Sequence, residues 1–251
     1  MKIVVCVKQV GSLGDEVAFT ADGRAVDPDY LDHAVNEWDA YATEEAIRLR
    51  EANGGEVVVV TVGDESADAA VRRCLAMGGD RGVRVWSDEL RGADPIAIGR
   101  VLADVVGDEG PDLVLCGVQS SDEGNGAVGS ALAAFLDLPC ETCVVGLELD
   151  RPGVARVRRE LEGGLIELRE VRLPAVVTVQ TGINEPRYAT FRAIKQADQK
   201  ELAVRKAAVP APHARVTRMS EPVRERHAEM LDGKPAQVAE RIAAILKERL
   251  A

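Results

Sequence analysis

Gly124, Gly126 and Gly129 spell G-x-G-x-x-G just ahead of a helical stretch of small and apolar residues. Glycines at this spacing expose backbone N–H groups, and the start of a helix adds a dipole that favours a phosphate. Six residues, 118–123, separate the motif from Gly117 at the end of the preceding strand. A dinucleotide fingerprint follows its strand directly, and the first strand of the fold is favoured. The run therefore speaks against a nicotinamide site and for a main-chain anion cradle, with a plain tight turn as the bland alternative. Little else carries local chemistry. His33, His213 and His227 are far apart, and the chain has no nucleophile elbow, HExxH or P-loop. Cys140 and Cys143 form a lone CxxC without the further pair a zinc site needs. Redox CxxC motifs open a helix, whereas this one opens the apolar run 144–147, so a structural role is expected. That pattern fits a protein whose cofactor does the chemistry.

The elements that must position these residues follow from hydrophobic patterning. Residues 2–8 form a β-branched first strand, followed by a Gly-rich loop at 11–14. Residues 16–28 suit a small hairpin around Asp22-Gly23. Asn36 or Asp39 can cap a helix that runs to Asn53 and stops at Gly54-Gly55. Residues 56–62 read as a strand buried on both faces, and Ser66 as the cap of a helix ending at Gly78-Gly79. A strand at 83–86, a helix at 95–107, a strand at 112–116 and a helix ending at Asp137 continue the alternation. Alternating strands and helices call for a doubly wound, mostly parallel α/β sheet. Ligands bind outside the carboxyl ends of such strands. Here residues 6–8, 61–63 and 116–119 would converge on the glycine loop. After Pro139 come strands at 140–149, 154–161, 165–173 and 175–180 without helices, an antiparallel extension. Pro210, Pro212 and Pro222 break the polar stretch 198–233, and 237–250 is an amphipathic helix with Val238, Ile242, Ile245 and Leu246 on one face. The expected division is a core at 1–197 and a C-terminal arm at 198–251.

Bulk properties exclude several classes. The 251 residues suffice for a large α/β core with an appendage. A net charge of −11 and only 3% aromatic residues argue against a nucleic-acid surface. No apolar run approaches the roughly 20 residues of a membrane helix, so direct membrane insertion is not expected. The N-terminus enters a strand at once, without a signal-peptide layout. Five scattered cysteines suit a reducing compartment, and the cytoplasm is expected.

Residues 155–191 read ARVRRELEGGLIELREVRLPAVVTVQTGINEPRYATF. Two amphipathic strands flank Gly163-Gly164, an apolar strand follows, and the run reaches the loop Asn184-Glu185-Pro186-Arg187-Tyr188. With the opening Val-Lys strand, Asn36, Glu44-Glu45-Ala46, Ala76-Met77-Gly78 and the Asp122 loop, in that order, it resembles the electron transfer flavoprotein beta subunit. The likeness covers most of residues 1–200. It implies an electron carrier rather than an enzyme, with FAD at the interface with an alpha subunit and AMP in this chain. Flavin dehydrogenases would donate electrons and a quinone reductase or similar acceptor would receive them. Carried over, the AMP contacts are Cys6, Asn36 and Val62, then Gln119, Ser120, Ser121, Asp122 and Glu123, and then Gly124, Asn125, Gly126, Ala127, Val128 and Gly129. Gly124 and Ala127 stand where the family pattern has a second Asp and a Gln, so main-chain contacts would carry more of the binding. The resemblance places Trp38 beside the flavin and Leu13 at its edge. It aligns Glu167 with an acidic residue that helps hold the flavin domain. Arg187, Tyr188, Phe191 and Ile194 would form the surface that docks dehydrogenases, with buried core as the alternative for Phe191. Residues 187–206 carry six basic and two acidic side chains, a local charge of +4 in an acidic protein. The alternatives are a nucleotide-binding regulatory α/β domain, which would be a stable monomer, and a nicotinamide dehydrogenase, which would transfer hydride without a partner.

Overall fold

Strand β1 (Lys2–Cys6) sorts its side chains by parity. Ile3 and Val5 enter one apolar cluster, whereas Val4 and Cys6 enter another on the opposite face. A strand apolar on both faces belongs in the middle of a covered sheet. The computed structural model, which describes residues 1–14, 16–222, 228 and 230–250, places β1 there. It pairs in parallel with β4 (Glu56–Val62) and β6 (Leu113–Gly117).

Helices cover both faces. Helix α1 (Glu37–Asn53) and α2 (Asp68–Met77) contribute to the first cluster, α3 (Pro95–Glu109) and α4 (Val128–Leu136) to the second. Glycine stops α1 as expected: Gly54 takes φ 73° and its N–H returns to the Arg50 carbonyl. Pro95 occupies the first turn of α3, and the Asp94 carboxylate accepts from the N–H groups of Ile96 and Ala97. The expected Ser66 cap is corrected. The Asp64 side chain accepts from the Ser66 N–H in a 3₁₀ turn, Glu65–Ala67, that feeds α2.

Among the described residues the main sheet has nine strands, in the order Leu202–Lys206, Arg81–Trp86, β4, β1, β6, Ala175–Val179, Cys140–Arg151, Val154–Glu160 and Ile166–Arg172. Strand β5 is Arg81–Trp86, and β7 (Cys140–Arg151), β8 (Val154–Glu160) and β9 (Ile166–Arg172) form the antiparallel extension. Two placements differ from the sequence reading. Strand β10 (Ala175–Val179) lies between β6 and β7 and is parallel to both. Consecutive strands usually neighbour one another, which favours pairing with β9. Its five residues are all buried, however, and only the centre of the sheet offers that environment. Residues 202–206, expected in a Pro-broken arm, form β11 (Leu202–Lys206), parallel to β5 at the sheet edge.

A second, two-stranded sheet replaces the expected loop at 11–14. Strand β2 (Gln9–Leu13) pairs antiparallel with β3 (Leu31–Val35). Gly11 leaves room for the Leu31 side chain, since a Cβ there would stand 2.8 Å from Leu31 Cδ1 and push it aside. Between these strands a Phe19–Val26 bridge forms the small hairpin expected around Asp22-Gly23. Helix α5 (Phe191–Ala197) precedes β11. Residues 1–219 form one unit, and residues 220–251 a second that contains helix α6 (Pro235–Leu250).

Candidate functional site

A cavity of about 260 Å³ opens at the carboxyl ends of β1, β4, β5 and β6. This is where an open parallel sheet presents its ligand site. Of the residues expected to touch a nucleotide, Cys6, Asn36, Val62, Gln119, Ser120, Glu123, Asn125, Val128 and Gly129 line it. Ser121, Asp122, Gly124, Gly126 and Ala127 do not, although they belong to the same loop.

The loop is held by side chains from distant elements. Asn36 stands at the cap position of α1 without capping it. Its amide instead donates to the Gln119 carbonyl at 2.8 Å and accepts from the Ser121 N–H at 3.2 Å. Lys8 Nζ reaches Asp122 Oδ1 at 2.8 Å, Glu123 Oε2 at 3.1 Å and Ser120 Oγ at 3.4 Å. Burial works against ionising Asp122, but the hydrogen bonds from Lys8 and Ser120 outweigh it and hold the carboxyl below its ordinary range.

The glycine motif divides into separate tasks. Gly124 takes φ 67°, in the left-handed region that favours glycine. A Cβ on Gly129 would lie 2.5 Å from Thr178 Cγ2 and 2.8 Å from Cys116 Sγ, so α4 can approach the sheet only with glycine there. Gly126 has ordinary room. Val128 and Gly129 begin α4 and line the cavity, so a helix start faces it.

Under the loop lies Asp39. One oxygen accepts from the Lys8 N–H at 2.7 Å and the other from the Gly117 N–H at 2.8 Å. The carboxylate thus ties the ends of β1 and β6 to the first turn of α1. Burial pushes its pKa up to about 7, against the pull of those N–H groups. Burial and the nearby Asp39 charge push the Cys6 thiol up to about 12, so it is an unreactive wall. The sequence reading brings Lys8 toward the glycine loop with the strand end 6–8 but counts neither it nor Asp39 nor Trp86 among the nucleotide contacts. Lys8 and Trp86 were legible as the last residues of strand ends, and Asp39 appears there only as a possible cap. Trp86 brings an indole to the cavity, with the Arg91 guanidinium 5.6 Å from its ring centroid.

Trp38 lies outside this cavity. Its indole N–H donates to Gln180 Oε1 at 2.7 Å. Leu13 ends β2 and is exposed. Glu167 pairs with Arg159 at 3.0 Å, and the buried Glu141 sits under Arg159 and Arg169. Cys140 and Cys143 are free, at the start of β7. Among the described residues no cluster of His, Cys, Asp or Glu is placed to hold a metal. His227 lies outside the described residues. No described helix is long and apolar enough to cross a membrane.

The 184–188 loop is anchored on α1. Asn184 donates to Glu45 Oε2 at 2.9 Å and to the Tyr41 carbonyl at 3.1 Å. Arg187 Nε meets Glu44 Oε2 at 2.8 Å, and its Nη1 meets Glu51 Oε1 at 2.7 Å. Burial disfavours a charged Glu44, but hydrogen bonds from Arg187 and Arg48 prevail and hold it below the usual carboxylate range. Arg187 therefore fixes the loop from beneath. The residues beyond it face outward: Tyr188 is 89% exposed and Phe191 74%. Thr190 caps α5, Lys195 Nζ stands 4.9 Å from the Phe191 ring centroid, and Ile194 is exposed one turn on.

A sequence model of the electron transfer flavoprotein domain matches residues 25–210. An electron transfer flavoprotein subunit beta of Methylophilus methylotrophus is 41% identical, the match covering 99% of this chain and 98% of that protein. The Bacillus subtilis protein of the same name is 32% identical over 98% of each chain. That of Sus scrofa is 38% identical over 82% of each.

Proposed function

The chain belongs to the electron transfer flavoprotein family, as a beta subunit, and from that premise we propose that it pairs with an alpha subunit, shares FAD with it and holds AMP in the cavity at its strand ends. Members of the family carry electrons and have no substrate of their own to turn over. The observation that carries the AMP reading is the cavity itself. A helix start, the Asn36-braced loop and the Lys8 ammonium face one side, and the Trp86 indole with Leu90 and Ile98 offers apolar surface for a base. Bound FAD supplies one- and two-electron redox chemistry. This chain contributes Leu13 and Trp38 toward it, a rigid sheet that holds them, and the docking loop. Electrons would arrive from flavin dehydrogenases at Tyr188, Phe191 and Ile194 and leave to a quinone reductase or similar acceptor. The C-terminal arm, with its one-sided helix, would pack on the alpha subunit. All five cysteines are free, which supports a reducing compartment such as the cytoplasm.

Co-expression with the alpha subunit tests the reading. The purified complex should be yellow and should release FAD and AMP in equal amounts. A colourless complex overturns it, and one that yields a single FAD and no other adenine nucleotide overturns the AMP assignment. A second flavin in place of AMP would be seen as doubled FAD release and would overturn the AMP assignment alone. Deleting residues 234–251 should weaken pairing and flavin retention. Normal pairing and FAD content in the truncated protein would refute the role given to the arm.

A further inference from the structure

The cavity contains a cation that the protein already neutralises. Lys8 is the ammonium nearest the glycine loop, and it meets two carboxylates, Asp122 and Glu123. The surroundings of Lys8 therefore carry a net negative charge, where an incoming phosphate would need a positive one.

The two carboxylates are held unequally. The Asp122 side chain is 22% exposed, and besides Lys8 it accepts from the Glu123 N–H at 2.7 Å. Asp122 does not line the cavity. The Glu123 side chain is 58% exposed and does line it. Among the described residues, Lys8 and the Asn125 amide, at 3.2 Å, hold its carboxylate. An exposed pair of this kind contributes little, so it can be exchanged. Glu123 can swing into solvent without leaving a buried charge unpaired. Asp122 cannot leave without releasing the loop.

Resting on the AMP reading, we propose that Glu123 is an internal competitor for Lys8: a nucleoside monophosphate enters by displacing the Glu123 carboxylate, and Lys8 then binds its phosphate. Glu123 is thereby a specificity-determining residue that lowers affinity for the phosphate and leaves the nucleoside part unaffected. The exchange conserves the ion pair on Lys8. Its net cost is the repulsion between the phosphate and a carboxylate that remains close by. At a separation of about 5 Å in a half-exposed site that repulsion amounts to roughly a tenfold change in affinity. The competing arrangement keeps the Lys8–Glu123 pair intact and holds the phosphate on backbone N–H groups alone.

The test uses the nucleotide-free heterodimer with the alpha subunit, titrated calorimetrically with AMP and with adenosine. Glu123→Gln keeps the size of the side chain and the Asn125 contact but removes the charge. It should tighten AMP roughly tenfold and leave adenosine unchanged. Lys8→Met should abolish the preference for AMP over adenosine. As a measurement on the unaltered protein, raising salt should screen the repulsion from the displaced carboxylate, tighten AMP binding and leave adenosine binding unaffected. Equal AMP affinity in wild type and Glu123→Gln overturns the exchange while the AMP site stands. If the wild type binds neither AMP nor adenosine, the AMP reading itself fails.

Discussion

Helix α1 buries three carboxylates, and two of them, about one and a half turns apart, are sent in opposite directions by their surroundings. Asp39 is 5% exposed and Glu44 2%. Asp39 is held chiefly by neutral donors, the Lys8 and Gly117 backbone N–H groups and the Asn36 side chain, and burial outweighs these and the Lys8 charge and pushes it up to about 7. Glu44 meets two guanidiniums, those of Arg187 and Arg48, and stays below its ordinary range although burial opposes it. A desolvated charge is costly unless an opposite charge and hydrogen bonds accompany it. One end of α1 thus organises the ligand cavity with a group whose charge is easily lost. Its middle organises the 184–188 loop with a group whose charge is locked in.

The strongest way to break this contrast is to remove the cation from the second pair. Arg187→Ala leaves the buried Glu44 with the half-exposed Arg48 and the backbone N–H of position 187, and removes the guanidinium that fixes it. The expected loss is about 3 kcal/mol, at the lower end of what breaking a buried pair costs. Urea unfolding measures it. A loss below about 1 kcal/mol, the range of a surface pair, would show that the clamp is not a buried one.

The first carboxylate should be sharpened by pH. Its folded pKa lies above its ordinary value of 3.8, so between the two values the folded protein holds a proton that the unfolded chain has released. Stability from this group therefore falls as pH rises from about 4 to about 7 and is level above that. Asp39→Asn removes the titration and should flatten that part of the profile. The amide keeps one acceptor for two N–H donors, so one is left unpaired at a cost of about 1–3 kcal/mol. Unfolding curves collected across that pH range check both statements. An unchanged slope in the variant would mean that Asp39 is already ionised throughout.

These residues also mark how far the sequence could be read. The alternation from β1 to α4 was legible because each central strand is a short apolar run and its helices end at glycines or begin at proline, as at Gly54, Gly78 and Pro95. The strand ends that converge on the cavity follow from that alternation. The position of β10 was not legible, since its neighbours are fixed by sheet-wide burial and nothing in its own five residues names them. Likewise, Asn36 reads locally as a helix cap, yet its amide is satisfied 83 and 85 residues away. Lys8 and Glu123 show the same limit, because a pairing across 115 residues has no local signature. The resemblance brought forward Glu44 and Arg187 as separate motifs, and only the fold joins them.

The smallest effect on stability is expected at the tip of the loop that Glu44 anchors. Phe191 begins α5, is 74% exposed and has only Lys195 across its ring, so the buried-core alternative does not describe it. Truncating a surface side chain of this kind shifts stability by about 0.5 kcal/mol or less. If the tip docks dehydrogenases, the same truncation removes an aromatic anchor, and such anchors cost about 2 kcal/mol or more of binding when cut back. The six basic and two acidic side chains of residues 187–206 should steer an acidic partner toward it, so the encounter rate should fall with salt. Phe191→Ala should thus slow electron transfer from the dehydrogenase while FAD content and melting temperature stay nearly unchanged. Arg187→Ala should lower both stability and transfer, because it loosens the root as well as the tip. Stopped-flow reduction of the heterodimer by its dehydrogenase separates the two. If Phe191→Ala transfers electrons at the wild-type rate across all salt concentrations, the docking surface lies elsewhere on the molecule.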